Sequence, residues 1–375
     1  MYIVRFLKDW TLPVAMTIGT VLYLLFGFVP ALAPAAATLG PCIDVIFPLS
    51  VFATLLVTFA KVDFHLMHLC RWHSAVLGAQ LLLIAALTGG IVWAAGQEAT
   101  SLPPTLLPVA TALLTCIIAP CASASPVVTA KLGGDLTAMT TFVLLSAVVT
   151  AVLIPAVFPL VHPNTGAENV IHHSSFVASE ASLQAERVIR HSSFVTRHSL
   201  FLTAFLAILQ KMATVLLLPL VLGAAIRMGA HHGVRLLTPI YNKIMQTPDL
   251  GFYCWAFSLA ITAGVTVRNI VHSGASLGML IAIALLSFAA AAVQFGIGRA
   301  IGHRMQAPIE SGQAMFQKNT ALAIWVAYMY LSPVASIGAG CYVLWQNIIN
   351  SIELWQRKTL PPPSLLGRER NGDSR

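Results

Sequence analysis

The stretch that decides the fold reads Ala119-Pro120-Cys121-Ala122-Ser123-Ala124-Ser125-Pro126. It interrupts an apolar run: its two prolines remove helical hydrogen bonds, and its serine hydroxyls can act as oxygen ligands. A second interruption reads Gly312-Gln313-Ala314-Met315-Phe316-Gln317-Lys318-Asn319-Thr320, and most of its polar residues would be costly against lipid. We therefore expect two broken helices. The plainer alternative is that the prolines kink intact helices and that the polar residues join neighbouring helices.

The composition around these stretches points to a lipid bilayer as the main partner. Of 375 residues, 57% are hydrophobic and only 9% are charged, whereas charged residues supply about a quarter of a soluble protein. The net charge of +8 would suggest nucleic acid in a soluble protein, but the basic residues lie in short gaps between apolar runs. We expect neither a nucleic-acid partner nor a soluble enzyme domain.

The apolar runs predict an all-α membrane protein with ten transmembrane helices. With the amino terminus in the cytoplasm, most of the 21 Lys and Arg residues lie inside, so both termini are expected to be cytoplasmic in a multi-pass protein of the plasma (inner) membrane. The run from Leu12 to Val29 imitates a signal peptide but is long enough for a retained first helix. The spans are predicted to start near Leu12, Val45, Ser74, Leu106, Leu136, Leu209, Leu250, Ser276, Gly312 and Ala335.

The order of the spans predicts two inverted halves. Residues 1–161 form the first five-helix half, 162–198 an extracytoplasmic loop or insertion, 199–356 the second half, and 357–375 a disordered cytoplasmic tail. An odd number of spans makes the second half enter from the opposite side. Each interruption lies in the fourth span of its half, so pseudo-symmetry should bring the two together. The loop carries a duplicated segment that contains histidines. We expect these histidines to lie in a solvated loop, and the alternative is that they form a metal site.

Several stretches resemble the bile acid:sodium symporter family. Gln313 to Trp325 is similar to the ninth-helix signature of that family, especially its bacterial branch with a QKNT core. Ala119 to Asp135 is similar to the fourth helix and the loop after it, and Gln346 to Ser351 looks like the tenth helix. Residues 61–63, 71–73 and Gln80 resemble the connection between the second and third helices. The resemblance covers most of the chain apart from the loop and tail, and only the ninth-helix match is highly specific.

This resemblance implies a fold and a function. The fold has panel and core domains, with helices four and nine broken and crossing. The function is secondary active transport of an organic anion by alternating access, with sodium as the usual coupled ion, and the protein is not an enzyme. The anion would be bile-acid-like, a steroid sulfate or a small carboxylate. No cofactor is implied beyond the sodium ion.

The resemblance also implies candidate site residues. We expect the anion near the crossing, at Lys318, Asn319, Thr320, Ser123 and Pro126. Sodium candidates are Gln80, Ser125, Thr140, Thr141, Gln313 and Gln317.

This chain departs from the family at two positions of the predicted ion site. Gln313 stands where the family has a glutamate, and Pro126 stands where it has an asparagine, so one carboxylate is missing. The ammonium of Lys318 would occupy a cation position or pair with the anion, unless the lysine snorkels or bonds to backbone carbonyls. Coupling to sodium, to protons or to no ion stays open.

The same residues also allow other functions to be considered for this protein. Arsenite efflux would use Cys121 as a soft ligand beside the break. A receptor-like relative without transport would also explain the missing carboxylate. A haem enzyme would need histidines within spans, but the histidines fall in loops or at span edges. The anion, the transport direction and the oligomeric state are not determined by the sequence.

Overall fold

The computed structural model describes residues 11–62, 67–96, 103, 105–161, 202, 205–206, 208–210, 212–247 and 250–359. The predicted loop 162–198, the connector residues Asp63 and His65, and the chain after 359 lie outside this description. The last described helix continues to Thr359, so residues 357–359, which we expected in a disordered tail, are helical.

Helices make up nearly all of the described chain, and the described residues contain no β-strand. A short 3-10 turn, Pro30–Leu32, precedes the second helix, and a π-helical turn, Ala213–Leu217, precedes the seventh. The helices are α1 Thr11–Phe28, α2 Ala33–Lys61, α3 Arg71–Gly96, α4 Leu106–Ile118, α5 Ser125–Leu132, α6 Leu136–Val161, α7 Leu218–His231, α8 Leu237–Gln246, α9 Leu250–His272, α10 Leu277–Met305, α11 Pro308–Phe316, α12 Thr320–Tyr330 and α13 Pro333–Thr359.

Six helical segments are long and apolar enough to cross a membrane, as in a multi-pass membrane protein. The predicted fourth and ninth spans are not among them, because each is divided into two shorter helices, α4 with α5 and α11 with α12. The six segments are Pro30–Lys61, Arg71–Gly96, Leu136–Val161, Ile208–His231, Tyr253–His272 and Leu277–Met305.

The start of one helix and the number of helices differ from the sequence-based expectation. The second span was expected from Val45, but α2 begins at Ala33, with Pro34 in its first turn, where proline costs no helical hydrogen bond. The helix α8 was not expected at all, because ten residues are too few to read as a membrane span. It packs against α2 and α7.

The polarity of the side chains is arranged for an apolar solvent. Leu82, Trp93 and Leu285 point outward with 73%, 67% and 61% of their surface exposed, whereas Gln317 and Lys318 are 0% and 1% exposed. Exposed apolar side chains on several sides and buried amides and ammonium groups are expected where lipid surrounds the helices.

Small residues set how closely the helices approach. A Cβ added at Gly338 of α13 would meet the backbone of Ala112 of α4, and one added at Gly298 of α10 would meet the backbone of Ser311 and Gly312 of α11. Helix pairs in membranes commonly approach through such positions. The helix α9 packs on α1 and α2, and α7 packs on α2, whereas α3 to α6 pack with α10 to α13 around the two interruptions.

Candidate functional site

The two interruptions meet backbone to backbone. The N–H of Asn319 donates to the carbonyl of Pro120 at 2.8 Å, and the N–H of Ala122 donates to the carbonyl of Gln317 at 2.9 Å. Cys121 and Lys318 therefore face each other in an isolated antiparallel bridge. The structure thus brings together the two segments that the sequence marks as broken.

Local sequence explains why the chain breaks there. Ala119 has extended backbone angles, as expected for a residue before proline, so α4 ends at Ile118. The helix α5 restarts with Pro126 in its first turn. On the other side, the side chain of Asn319 accepts a hydrogen bond from the N–H of Leu322 at 3.2 Å and caps α12.

Side chains of α13 satisfy the backbone groups that the second break leaves free. The hydroxyl of Tyr342 donates to the carbonyl of Phe316 at 2.6 Å, and Gln346 Oε1 accepts the N–H of Lys318 at 2.7 Å. Gln294 Nε2 in turn donates to Tyr342 Oη at 3.0 Å. These contacts fix an irregular backbone at a depth where an unpaired peptide group would be costly.

Neighbouring helices hold the first break in the same way. Ser146 Oγ accepts the N–H of Cys121 at 3.1 Å. Gln80 Nε2 lies 3.3 Å from the carbonyl oxygens of both Ile117 and Ala119. The interruptions are therefore built structures and not frayed helix ends.

Lys318 carries a buried ammonium at the crossing. Its Nζ has no hydrogen-bond partner among the described residues. It contributes to a cavity of about 20 Å³, together with Ser123, Asn319 and Thr320 from the two breaks. A buried charge without a partner is costly, so its retention suggests a ligand or a functional role.

A larger cavity of about 370 Å³ shares Ser123 and Trp255 with the small one. Its wall is mainly apolar, and its two charged residues, Lys61 and Lys131, are both basic. Two of the predicted substrate residues, Ser123 and Pro126, line it. It lies between α2 and α9 on one side and α5, α6 and α13 on the other.

The predicted sodium ligands differ in the hydrogen bonds that their side-chain oxygen atoms already make. Gln80 Oε1 and Gln317 Oε1 are buried and have no hydrogen-bond partner among the described residues. The hydroxyls of Thr140 and Thr141 donate to carbonyls of their own helix at 2.7 and 3.0 Å, which leaves their oxygens only as acceptors. Ser125 Oγ accepts from the thiol of Cys121 at 3.2 Å.

A carboxylate that sequence reasoning missed lies beside the remaining candidate, Gln313. Glu353 Oε2 of α13 accepts a hydrogen bond from Gln313 Nε2 at 2.6 Å, and its other oxygen pairs with Arg299 of α10. The sequence pattern that could have identified Glu353 is its spacing from Gln346 and Asn350, because these three residues lie on one face of α13. Glu310, by contrast, accepts the N–H of Asp135 at an exposed turn, in keeping with a surface residue.

The described part of the chain contains no group of three or more His, Cys, Asp or Glu residues able to hold a metal ion. Apart from the thiol of Cys121, the side-chain ligand atoms named above near the crossing are amide and hydroxyl oxygens. These suit a hard monovalent cation or the polar groups of an organic molecule.

Comparisons of the sequence with models of known protein families and with curated proteins find no match. The resemblance to the bile acid:sodium symporter family therefore stays a prediction based on the motifs around the two breaks. The site must be argued from its own geometry.

Proposed function

We propose that this protein is a secondary carrier that moves an organic anion across the plasma membrane by alternating access. The observation that carries the proposal is the position of the unpartnered Lys318 ammonium at the crossing of the two breaks, beside a 370 Å³ cavity. Broken helices that expose backbone groups and polar side chains near the middle of the bilayer are where such carriers bind their cargo.

The cavity favours an amphipathic anion as cargo. The apolar side chains of Val57, Val128 and Trp255 would contact a hydrophobic body, and Lys61 and Lys131 give the cavity a positive potential. The small cavity has room for about one water molecule, so it would have to widen for the anionic group of the substrate to reach Lys318. A bile-acid-like molecule or a steroid sulfate fits this arrangement better than a small sugar or a cation.

Alternating access needs two bodies that move against each other. The helices on either side of the cavity match this need: α2 and α9 on one side, and α5, α6 and α13 on the other. We assign the first set, with α1 and α7, to a panel domain and the helices around the crossing to a core domain. Ten membrane crossings in two inverted halves complete the proposed architecture.

The proposed orientation places both chain termini and the wide cavity on the cytoplasmic side. Lys61, Arg71 and Lys131, three of the five Lys and Arg residues of the first half, lie at the helix ends that flank the connectors after α2 and α5. The positive-inside rule assigns such connectors to the cytoplasm. The described conformation would then be inward-facing.

Transport into proteoliposomes tests the proposal. Purified protein is reconstituted, and uptake of radiolabelled bile acids, steroid sulfates and small carboxylates is measured in sodium and in choline buffers. Saturable uptake of one of these anions, lost in Lys318→Met, supports the carrier. A protein that binds an anion in a metabolite screen but moves none would instead be a receptor-like relative.

Arsenite efflux is the competing carrier function. The environment of Cys121 favours it less than transport of an organic anion. Cys121 is 2% exposed, its thiol is directed to Ser125 Oγ, and, unlike Lys318, it lines neither of the two cavities. One thiol also gives an arsenite ion only one soft ligand. Equal arsenite tolerance of cells with the native protein and with Cys121→Ala is the expected result.

A further inference from the structure

Three side chains outside the crossing form a charged group that the proposed cargo does not use. Arg299 of α10 pairs with Glu353 of α13, and Glu353 accepts a hydrogen bond from Gln313 of α11 at 2.6 Å. The side chains of Arg299 and Glu353 are 26% and 11% exposed, and Gln313 is fully buried. Gln313 is followed one turn later by Gln317 and Lys318, so this group adjoins the crossing.

Two contacts and the space beside a glycine position Arg299. Its guanidinium lies 5.0 Å from the ring centre of Phe295, and it pairs with Glu353. Its Nε would stand 2.9 Å from a Cβ at position 312, so the absence of a side chain on Gly312 makes room for the arginine. The guanidinium therefore packs against Phe295 and Glu353 in a space that Gly312 leaves open.

The surroundings of Glu353 are suited to a cation. Gln313 Oε1 and the side-chain oxygen of Asn350, one turn before Glu353, are buried and have no hydrogen-bond partner among the described residues. A carboxylate with neighbouring amide oxygens is a ligand set for a hard cation. In this chain the guanidinium of Arg299 lies beside the Glu353 carboxylate, where such a cation would bind.

We propose that Arg299 is a resident cation, which neutralises Glu353 beside Gln313 and so excludes a free monovalent cation from this position. A purely structural ion pair is the plainer interpretation, but a partly exposed ion pair commonly adds little stability, so stability alone does not explain the pair. The consequence for the proposed carrier is a transport step that needs no sodium ion at Glu353. Only that consequence rests on the proposed function, because the binding test below needs no transport.

Removal of the guanidinium should create a cation site. Thermal unfolding of the purified chain is followed in sodium chloride and in choline chloride of equal ionic strength. The native protein is expected to unfold at the same temperature in both. Arg299→Gln should unfold about 3 °C higher in sodium when sodium exceeds its dissociation constant roughly tenfold, and Arg299→Gln combined with Glu353→Gln should lose this response.

Matched variants make the test decisive in either direction. Arg299→Lys keeps the charge and should show no sodium response, and a response in it would overturn the proposal. A folded Arg299→Gln that responds equally to sodium and choline would also overturn it. If Arg299→Gln does not fold, the native chain decides: a saturable sodium response that Glu353→Gln removes would mean that a free ion already binds there, and its absence supports the resident cation.

Uptake assays separate this proposal from the proposed function. Sodium-independent uptake in the native protein supports both. A sodium response of Arg299→Gln in a protein that transports none of the tested anions would uphold the resident cation and count against the carrier. A chain that transports an anion, but whose Arg299→Gln variant shows no sodium response on unfolding, would support the carrier and overturn the resident cation.

Discussion

The backbone N–H of Asn319 donates to the carbonyl of Pro120 at 2.8 Å, although the two residues belong to opposite halves of the chain. With the reciprocal bond from Ala122 to Gln317, this contact joins the two broken helices as a two-residue ladder. The crossing should therefore move as one unit. Any motion that opens the cavity to the other side has to occur at the contacts with α2 and α9 and not within the crossing.

Lys318→Met should weaken anion binding and, at the same time, stabilise the empty protein. Loss of a charge-assisted contact with the substrate is expected to cost about 1.5–3 kcal/mol, which is a loss of roughly 10- to 100-fold in affinity. Because the substitution also removes a buried, unpaired ammonium, the unfolding temperature without substrate should rise. Binding and thermal unfolding of the same sample measure both effects. Lys243→Met, on α8 and away from both cavities, is the control and should change neither.

Tyr342→Phe should destabilise the second break. The hydroxyl that donates to Phe316 and accepts from Gln294 is lost, and both groups remain buried without that partner. We expect a loss of about 1–3 kcal/mol, seen as a lower unfolding temperature. Tyr328→Phe removes a hydroxyl from a residue that is 38% exposed, and it should have little effect. Equal stability of the two variants would mean that the contact with Phe316 is not a structural requirement.

Gly338→Ala should disturb the packing of α4 on α13. An added Cβ would lie 2.6 Å from the carbonyl carbon of Ala112 and closer still to its oxygen, and neither backbone can move without shifting a helix. Overpacking of this kind costs about 1–3 kcal/mol. Gly296→Ala in α10 is the matched control, since its Cβ would meet no heavy atom of the described residues within 4 Å. It should leave the unfolding temperature unchanged or raise it slightly.

The sequence predicts the breaks and their meeting because their causes are local. Proline lacks the N–H that a helix interior needs and disfavours helix in the residue before it, so Pro120 and Pro126 indicate a break locally. A run such as Gln317-Lys318-Asn319 is costly against lipid in any fold. The equal rank of the two breaks in their halves then suggests that they meet, and the bridge between Cys121 and Lys318 agrees with that expectation.

The partners of the site residues depend on the rotation of helices that are far apart in the chain, and one sequence does not give that rotation. Gln313 lacks the charge expected at its position, yet Glu353 from α13 supplies a carboxylate 2.6 Å away. Tyr342 and Gln346 were equally unforeseen as partners of the second break, because an isolated Tyr or Gln in an apolar helix has many explanations. The two cavities also form from several helices, so their size and charge follow only from the folded chain.

A cysteine placed at position 140 should be accessible from the cytoplasm, whereas one at position 141 should not. Both residues are buried, 8% and 5% exposed, but Thr140 lines the larger cavity and Thr141 does not. In a background without the six native cysteines, a membrane-impermeant thiol reagent should modify Thr140→Cys in inside-out vesicles and leave Thr141→Cys largely unmodified. A bound anion should slow the modification of Thr140→Cys, because substrate and reagent would occupy the same cavity. Equal labelling of the two variants, or labelling of Thr140→Cys only in right-side-out vesicles, would contradict the proposed inward-facing cavity and the orientation derived from the basic connectors.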